Sequence, residues 1–411
     1  MVHSLSTRRL ALFVAVIVLG AFPMWGATRK HSKGKNSTSS HAKSTNAVRT
    51  SKSVRKAHPT ATTTRAHKAS YTRSSTTTRQ RRPRYSAWDT PTYADSTVGD
   101  MVDGEDLTIR RAAVDALGTL NGTIVAVDPR SGRVLSVVNQ KLALKGNFQP
   151  CSTIKLVAAL AALEEGLIER NTMLRLYGRT KMNLTEALAH SNNQFFAQLG
   201  NKLGYEKVIH YAKWFGLGEP AGLEIEGESP GALAAAPPKE GGVGMMTSFG
   251  EGISLTPLQL ASLVSSIANG GTMYYLQYPR TQQEAQTLVP RVKRRLNIEQ
   301  RIPDILPGMM AAVEYGTARR IGQDPNEPIF GKTGTCTDNR THMGWFGSFN
   351  SVGSNKLVVV VMLTGGKGVS GPAAAGVAGN VYKALSEKKY FVDLQPYTPA
   401  ALVSTQTCCS R

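Results

Sequence analysis

The chain has 411 residues, with 49 Lys and Arg against 28 Asp and Glu, a formal net charge of +21. The excess is local: residues 28–84 hold 16 basic side chains and no acidic one, whereas 85–411 holds 31 basic and 28 acidic ones, a net charge of +3. Four cysteines exclude a disulfide framework, and His190, His210 and His342, the histidines outside the first 67 residues, lack metal-ligand spacing, so neither a metal nor another cofactor is expected.

In chain order, Leu10–Trp25 is an apolar run of 16 residues behind Arg8-Arg9, readable as a signal peptide or a signal anchor. Met24-Trp25 offers no small-x-small cleavage site, so an uncleaved anchor within 1–27 is expected. Residues 28–84 are rich in Ser and Thr and nearly devoid of large apolar side chains. That composition cannot offset the entropy of ordering, and a disordered basic linker is expected. It reads as a solvated spacer or as a means of adhesion to an anionic wall or membrane surface. Nucleic acid is set aside because no recognition fold accompanies the charge.

Residues 85–119 form a short lead-in whose helix, at 105–118, stops at Gly118. Thr123–Val127 and Arg133–Val138 are β-branched runs joined by the turn Asp128-Pro129-Arg130-Ser131-Gly132, a hairpin signal. Leu156, Leu160 and Leu163 recur at helical spacing and predict a helix over Ser152–Leu167. A mostly helical stretch is expected over 184–215, then a loop over 218–244. Thr256 and Pro257 open a helix to Asn269 as N-cap and first residue, and another runs over about 303–315. Strands follow at Ile329–Cys336, Met343–Phe349 and Lys356–Leu363, and a last helix at about 372–387. Strands early, helices in the middle and strands late predict an α+β body over 120–390, with a mostly antiparallel five-stranded sheet flanked by helices. A tail at 391–411 ends the chain. Gly365-Gly366-Lys367-Gly368 lacks the spacing of a phosphate loop and reads as a turn.

Three motifs in the body carry chemistry: Ser152-Thr153-Ile154-Lys155, Ser191-Asn192-Asn193 and Lys332-Thr333-Gly334. Alone they are weak, since Ser-x-x-Lys also occurs at Ser32, Ser40, Ser53 and Ser386. Context separates the first from the others: it opens an apolar helix, where residues three apart share a face. Serine needs a base within reach. No His–Asp pair offers itself in the body, so Lys155 is the base, made neutral by burial and by a nearby positive charge such as Lys332. The unpaired N–H groups of the helix start suit a developing oxyanion. On a strand, Lys332 and Gly334 face one side and Thr333 and Thr335 the other. Gly334 leaves room for a substrate backbone along the edge, and Lys332 with the threonine hydroxyls suits a carboxylate. Ser191 suits proton relay and Asn193 an amide contact. Cys151 and Cys336 flank the first and third motifs; a bridge and two small buried thiols are both open, and the thiols are favoured.

This ordered triple is the signature of serine acyl-enzymes of the β-lactamase and penicillin-binding class. The chain resembles the transpeptidase domain of monofunctional, class B-like penicillin-binding proteins over about 120–390. The resemblance extends to Ala187–Asn193 with Phe196, to Gly250–Ala261 followed by Ile267–Gly271, and to Val313–Ala318 ahead of Gly331–Thr335. It implies Ser152 as the acylated nucleophile, Lys155 as base, Ser191 as proton shuttle and Asn193 as the contact to the substrate amide. Lys332, Thr333, Gly334 and Thr335 would form the substrate-binding strand, with the N–H groups of Ser152 and Thr335 as oxyanion hole. It further implies D-alanyl-D-alanine stem peptides of peptidoglycan as substrate, β-lactams as inhibitors, and a membrane-anchored enzyme of the bacterial envelope with its catalytic domain outside the cytoplasm. That topology sets the basic run from Arg29 against the positive-inside tendency. The chain departs from the family at Cys151, where Gly is usual, at Ile154, where Phe or Met is usual, and at Glu251, where Gln is usual. Competing readings are a class D-like serine β-lactamase, against which Asn193 and the 250–271 segment argue, a D,D-carboxypeptidase, and a β-lactam sensor that is acylated without turnover.

Overall fold

A computed structural model describes residues 91–146, 148–338, 341–351 and 356–392 of the chain. The expected anchor at 1–27, the basic linker at 28–84, the start of the lead-in and the tail beyond Val392, with Cys408 and Cys409, lie outside the described residues. Among the described residues no helix is long and apolar enough to cross a membrane.

Five strands carry the body: β1 (Gly122–Asp128), β2 (Arg133–Val138), β3 (Ile329–Asp338), β4 (Thr341–Asn350) and β5 (Val358–Gly365). They form one sheet in the order β2-β1-β5-β4-β3, and every neighbouring pair is antiparallel. The early hairpin and the late meander meet where β1 pairs with β5, in the register Val125↔Val360. β3 is therefore an edge strand.

Helices cover both faces. Val358, Val360 and Met362 of β5 pack into one core with α2 (Lys155–Glu164) and α5 (Pro257–Ala268), reached through α3 (Leu184–Ala189) and α4 (Asn193–Leu203). Val359, Val361 and Leu363 pack into the other with α1 (Leu107–Leu117) and α7 (Gly371–Glu387). α6 (Ile302–Glu314) lies against α3. Because neighbouring strand residues face opposite sides, a sheet covered on both faces needs a continuous apolar run where a half-exposed sheet shows alternation. α5 is the central helix, with all twelve residues buried. Its start is a reciprocal cap: Gln259 N–H donates to the Thr256 hydroxyl at 3.0 Å and Thr256 N–H to Gln259 Oε1 at 2.8 Å.

The stretch 184–215 is mostly helical, as expected: three helices, α3, α4 and Tyr205–Trp214, broken at Ser191 (φ 53°) and Gly204 (φ 77°). One expectation needs correction. The loop expected over 218–244 contains the strand Ala232–Leu233 and the start of the helix Gly242–Phe249. Its glycines argue against a helix, but the Thr247 hydroxyl donates to the Phe196 carbonyl at 2.8 Å and buried Met246 packs in the core. Tertiary packing overrides local propensity there. The lead-in is docked by buried polar groups: Arg110 bonds Asp100 at 2.7 Å and the Val137 carbonyl at 2.7 Å, and Glu105 accepts from Ser136 Oγ at 2.7 Å and Val137 N–H at 2.9 Å. Hydrogen-bonded pairing is what makes such burial tolerable.

Leu260, 1 % exposed in the middle of α5, tests this core. Leu260→Ala is expected to lower stability to urea by about 2–5 kcal/mol, whereas Leu107→Ala, at a side chain 63 % exposed, should change it by no more than about 0.5 kcal/mol.

Candidate active site

The turn before α2 is a 3-10 helix, Cys151–Ile154, where an α-helical start was expected. Side chains three residues apart eclipse in a 3-10 turn, which sets Lys155 Nζ 3.0 Å from Ser152 Oγ. Cys151, just before the serine, has φ 51°, a left-handed conformation that costs a residue with a Cβ roughly 1–2 kcal/mol. The turn is anchored to β4 by Trp345, whose Nε1 donates to the Gln149 carbonyl at 3.1 Å.

The Lys155 amine is fully buried and has four polar neighbours: Ser152 Oγ (3.0 Å), Ser191 Oγ (3.0 Å), the Ser191 carbonyl (2.7 Å) and Asn193 Oδ1 (2.6 Å). Burial first, and then the positive charge of Lys332, push it down to about 6. As a neutral amine it has two N–H donors and one lone pair. The two carbonyl oxygens only accept and use both donors, so the lone pair is left for a serine hydroxyl. Phe196 closes the apolar side, its ring centroid 5.6 Å from Nζ.

Ser191 sits between two lysines, because Lys332 Nζ donates to its Oγ at 2.9 Å. Ser191 adopts φ 53° in the break between α3 and α4, and Asn192 caps α4 by accepting from Phe195 N–H at 2.9 Å. Capping thus spends the middle residue of the motif and leaves Ser191 and Asn193 for Lys155. Lys332 is also fully buried, and burial alone pushes it down to about 7. The two amines and two hydroxyls form one unbroken hydrogen-bonded chain, Ser152–Lys155–Ser191–Lys332.

β3 brings its residues to the cleft by period two. Lys332 points into the lysine–serine chain, and Gly334 abuts the Cys151–Ile154 turn, where an added Cβ would lie 3.0 Å from the Pro150 carbonyl. On the opposite face the Thr333 hydroxyl is 2.6 Å from that of Thr317, and the exposed Thr335 accepts from the Gly371 N–H at the start of α7, 2.8 Å away. The Thr333 carbonyl accepts from Lys332 Nζ at 3.0 Å, so it faces the open edge of the sheet. Main-chain groups of alternate residues face the same side of an antiparallel strand, so the Thr335 N–H faces that edge as well.

The expectation of buried thiols fails at Cys151 and Cys336, which form a disulfide with Cα atoms 5.6 Å apart. It joins the residue before Ser152 to the residue after Thr335. The sparse cysteine content argued against it, and a separation of 185 residues hid it. Thr317 and Trp345 were also unassigned from the sequence, since one partner hydroxyl and one indole donor have no spacing signature. Among the described residues no group of His, Cys, Asp or Glu is arranged to hold a metal ion.

The profile of the penicillin binding protein transpeptidase domain matches residues 122–387. The chain is 28 % identical to stage V sporulation protein D of Bacillus subtilis over 314 residues, 63 % of this chain and 48 % of that protein. It is 24 % identical to the peptidoglycan D,D-transpeptidase MrdA of Haemophilus influenzae over 349 residues, 66 % of this chain and 54 % of the other. The chain thus spans about half the length of these relatives. In fold it is similar to penicillin-binding protein A from Mycobacterium tuberculosis, solved as an imipenem acyl-enzyme (TM-score 0.56, 24 % identity, 68 % of this chain and 78 % of that one). It is also similar to PBP2 of Pseudomonas aeruginosa, solved in complex with WCK 5153 (TM-score 0.58, 22 % identity, 72 % and 79 % covered).

The two lysines differ in what depresses them, and this is testable by NMR titration of 13C-labelled lysine side chains. Lys155 is expected to titrate near 6 and to rise in Lys332→Met, which removes a neighbouring positive charge. Lys332 is expected to stay near 7 in Lys155→Met, since burial alone lowers it. A Lys155 resonance titrating in the ordinary lysine range would refute the neutral-amine geometry.

Proposed function

Since the chain belongs to the penicillin-binding protein transpeptidase family, we propose that it is a serine D,D-transpeptidase that cross-links peptidoglycan stem peptides ending in D-alanyl-D-alanine. The observation that carries this reading is the buried Lys155 amine, depressed to about 6, at 3.0 Å from Ser152 Oγ.

In this reading Ser152 Oγ attacks the carbonyl carbon of the penultimate D-alanine while its proton passes to the Lys155 lone pair. The oxyanion that forms is held by the N–H groups of Ser152 and Thr335; a donor of this kind contributes roughly 3–4 kcal/mol to barrier lowering. As the peptide C–N bond breaks, the departing D-alanine amine takes a proton through Ser191, which lies within 3.0 Å of both lysine amines. The terminal carboxylate is held at β3, where the exposed Thr335 hydroxyl offers a donor and Lys332 a positive charge. The amine of a second stem peptide then attacks the ester and gives a proton to Lys155, and as the C–O bond breaks Lys155 returns that proton to Ser152 Oγ, 3.0 Å away. Gly334 lets the donor peptide lie along the open edge, and Asn193 grips its amide. β-Lactams would acylate the same serine.

The relatives named as D,D-transpeptidases favour this wall enzyme over a class D-like β-lactamase. The body at 120–390 would be the catalytic domain and 85–119 its lead-in. The disulfide supports a site of action outside the cytoplasm, because such bridges persist in oxidising compartments. The apolar run at 10–25 would anchor the chain in the cytoplasmic membrane, with 28–84 as the tether or as an adhesive for anionic wall or membrane surfaces.

A fluorescent penicillin is expected to label the wild type and not Ser152→Ala; an unlabelled wild type overturns the reading. Lys155→Ala should slow labelling by about 10²–10⁴-fold. Because the base must be neutral, the labelling rate should rise with pH through about 6 and be about tenfold below its plateau at pH 5. With a stem-peptide donor and an amine acceptor, a cross-linked dimer is expected; release of D-alanine with no dimer would instead mark a carboxypeptidase.

A further inference from the structure

The disulfide lies where the turn before α2 meets the edge strand β3. Cys151 precedes Ser152 and Cys336 follows Thr335, so the bridge connects the residues flanking the two N–H groups assigned above to the oxyanion. The Ser152 N–H belongs to the first turn of a helix, where amides have no partner within the helix. The Thr335 N–H lies on the open edge of β3. The aim of the Ser152 N–H depends on the backbone of Cys151, which sits at φ 51°. A residue with a Cβ disfavours that region, whereas glycine enters it freely. Cys151 is fully buried and Cys336 is partly exposed on the edge strand. The bridge thus runs from the buried turn to the rim of the cleft.

We infer that the Cys151–Cys336 disulfide is a positioning device for acyl transfer: it holds Cys151 in the left-handed conformation and so aims the Ser152 amide, together with the edge amide of Thr335, at the oxyanion. Without the bridge, a cysteine or alanine at 151 relaxes toward negative φ, the Ser152 N–H swings away, and the hydroxyl moves relative to Lys155. A glycine at 151 performs the same task with no bridge, because it occupies the left-handed region without steric cost. Cys151 and Cys336 touch neither substrate nor reacting atoms. Their effect passes through the main chain of Ser152 and the spacing of β3 from the turn. The inference rests on the transpeptidase reading, since it assigns the bridge to the acylation step.

The test is the acylation of the full chain by a fluorescent penicillin, resolved into the dissociation constant of the initial complex and the rate of the covalent step. Cys336→Ala is expected to slow the covalent step by about tenfold or more, as sub-ångström to ångström misplacement does, with the dissociation constant changed by no more than about twofold. The double variant Cys151→Gly/Cys336→Ala should recover the wild-type rate to within about threefold, and Cys151→Ala/Cys336→Ala should not. Both doubles lack the bridge, so a merely structural staple would leave their acylation rates equal, whatever the difference in their melting temperatures. Wild-type acylation by Cys336→Ala, or a Gly double as slow as the Ala double, overturns the inference while leaving the enzyme reading intact. A wild type that takes no label removes both.

Discussion

A lysine amine held out of water, beside a serine hydroxyl and without a carboxylate partner, is the constraint that the rest of this molecule satisfies. An unfolded lysine keeps its proton to about pH 10.4, whereas Lys155 holds it only below about 6. Folding at neutral pH must therefore release a proton, and this linkage makes stability rise with pH across that interval. The penalty is met by packing: α2 has every residue from Lys155 to Leu163 buried, and α5 is buried throughout. The same apolar surroundings that make the charged amine costly leave it neutral near pH 7.

The arrangement also depends on a sheet edge. Because β3 closes the sheet, its outer main-chain groups have no neighbouring strand, while its inner groups are paired to β4 in unbroken register from Asp338↔Thr341 to Ile329↔Asn350. Period two then divides the labour. Lys332, Gly334 and Cys336 face the turn that carries Ser152, and Thr333 and Thr335 face Thr317 and the start of α7. A shift of one residue would exchange these faces, so the register of one strand pair governs the electrostatics of Lys155, the approach to Pro150 and the disulfide together.

Much of the fold was legible because its signals are local. β5 reads as a strand from its valine run, α5 announces its start with Thr256-Pro257, and the β1–β2 turn carries Pro and Gly. What escaped had no periodicity to read. Strands of two to four residues such as Ala232–Leu233 and Val292–Arg295 are too short to alternate. The helix Gly242–Phe249 forms against glycine-rich composition because its face fits α4. The helix of the lead-in was readable, but its docking was not, since Asp100, Glu105 and Arg110 look like surface charges until they are found paired and buried.

For the site, the linear order of residues was enough to set Ser152 beside Lys155 and to expect the strand that faces them, because the two are neighbours in one turn and strand alternation is a property of the backbone. It was also enough to place the charge of the chain in 28–84, away from the chemistry. Everything that depends on distance across the fold needed three dimensions. The placing of Ser191 within 3.0 Å of two lysines, the turning of the Thr333 hydroxyl to Thr317, and the closure of Cys151 onto Cys336 across 185 residues are of this kind. Local propensity extends only a few residues along a chain, whereas burial, Coulomb coupling and disulfide formation respond to separations in space.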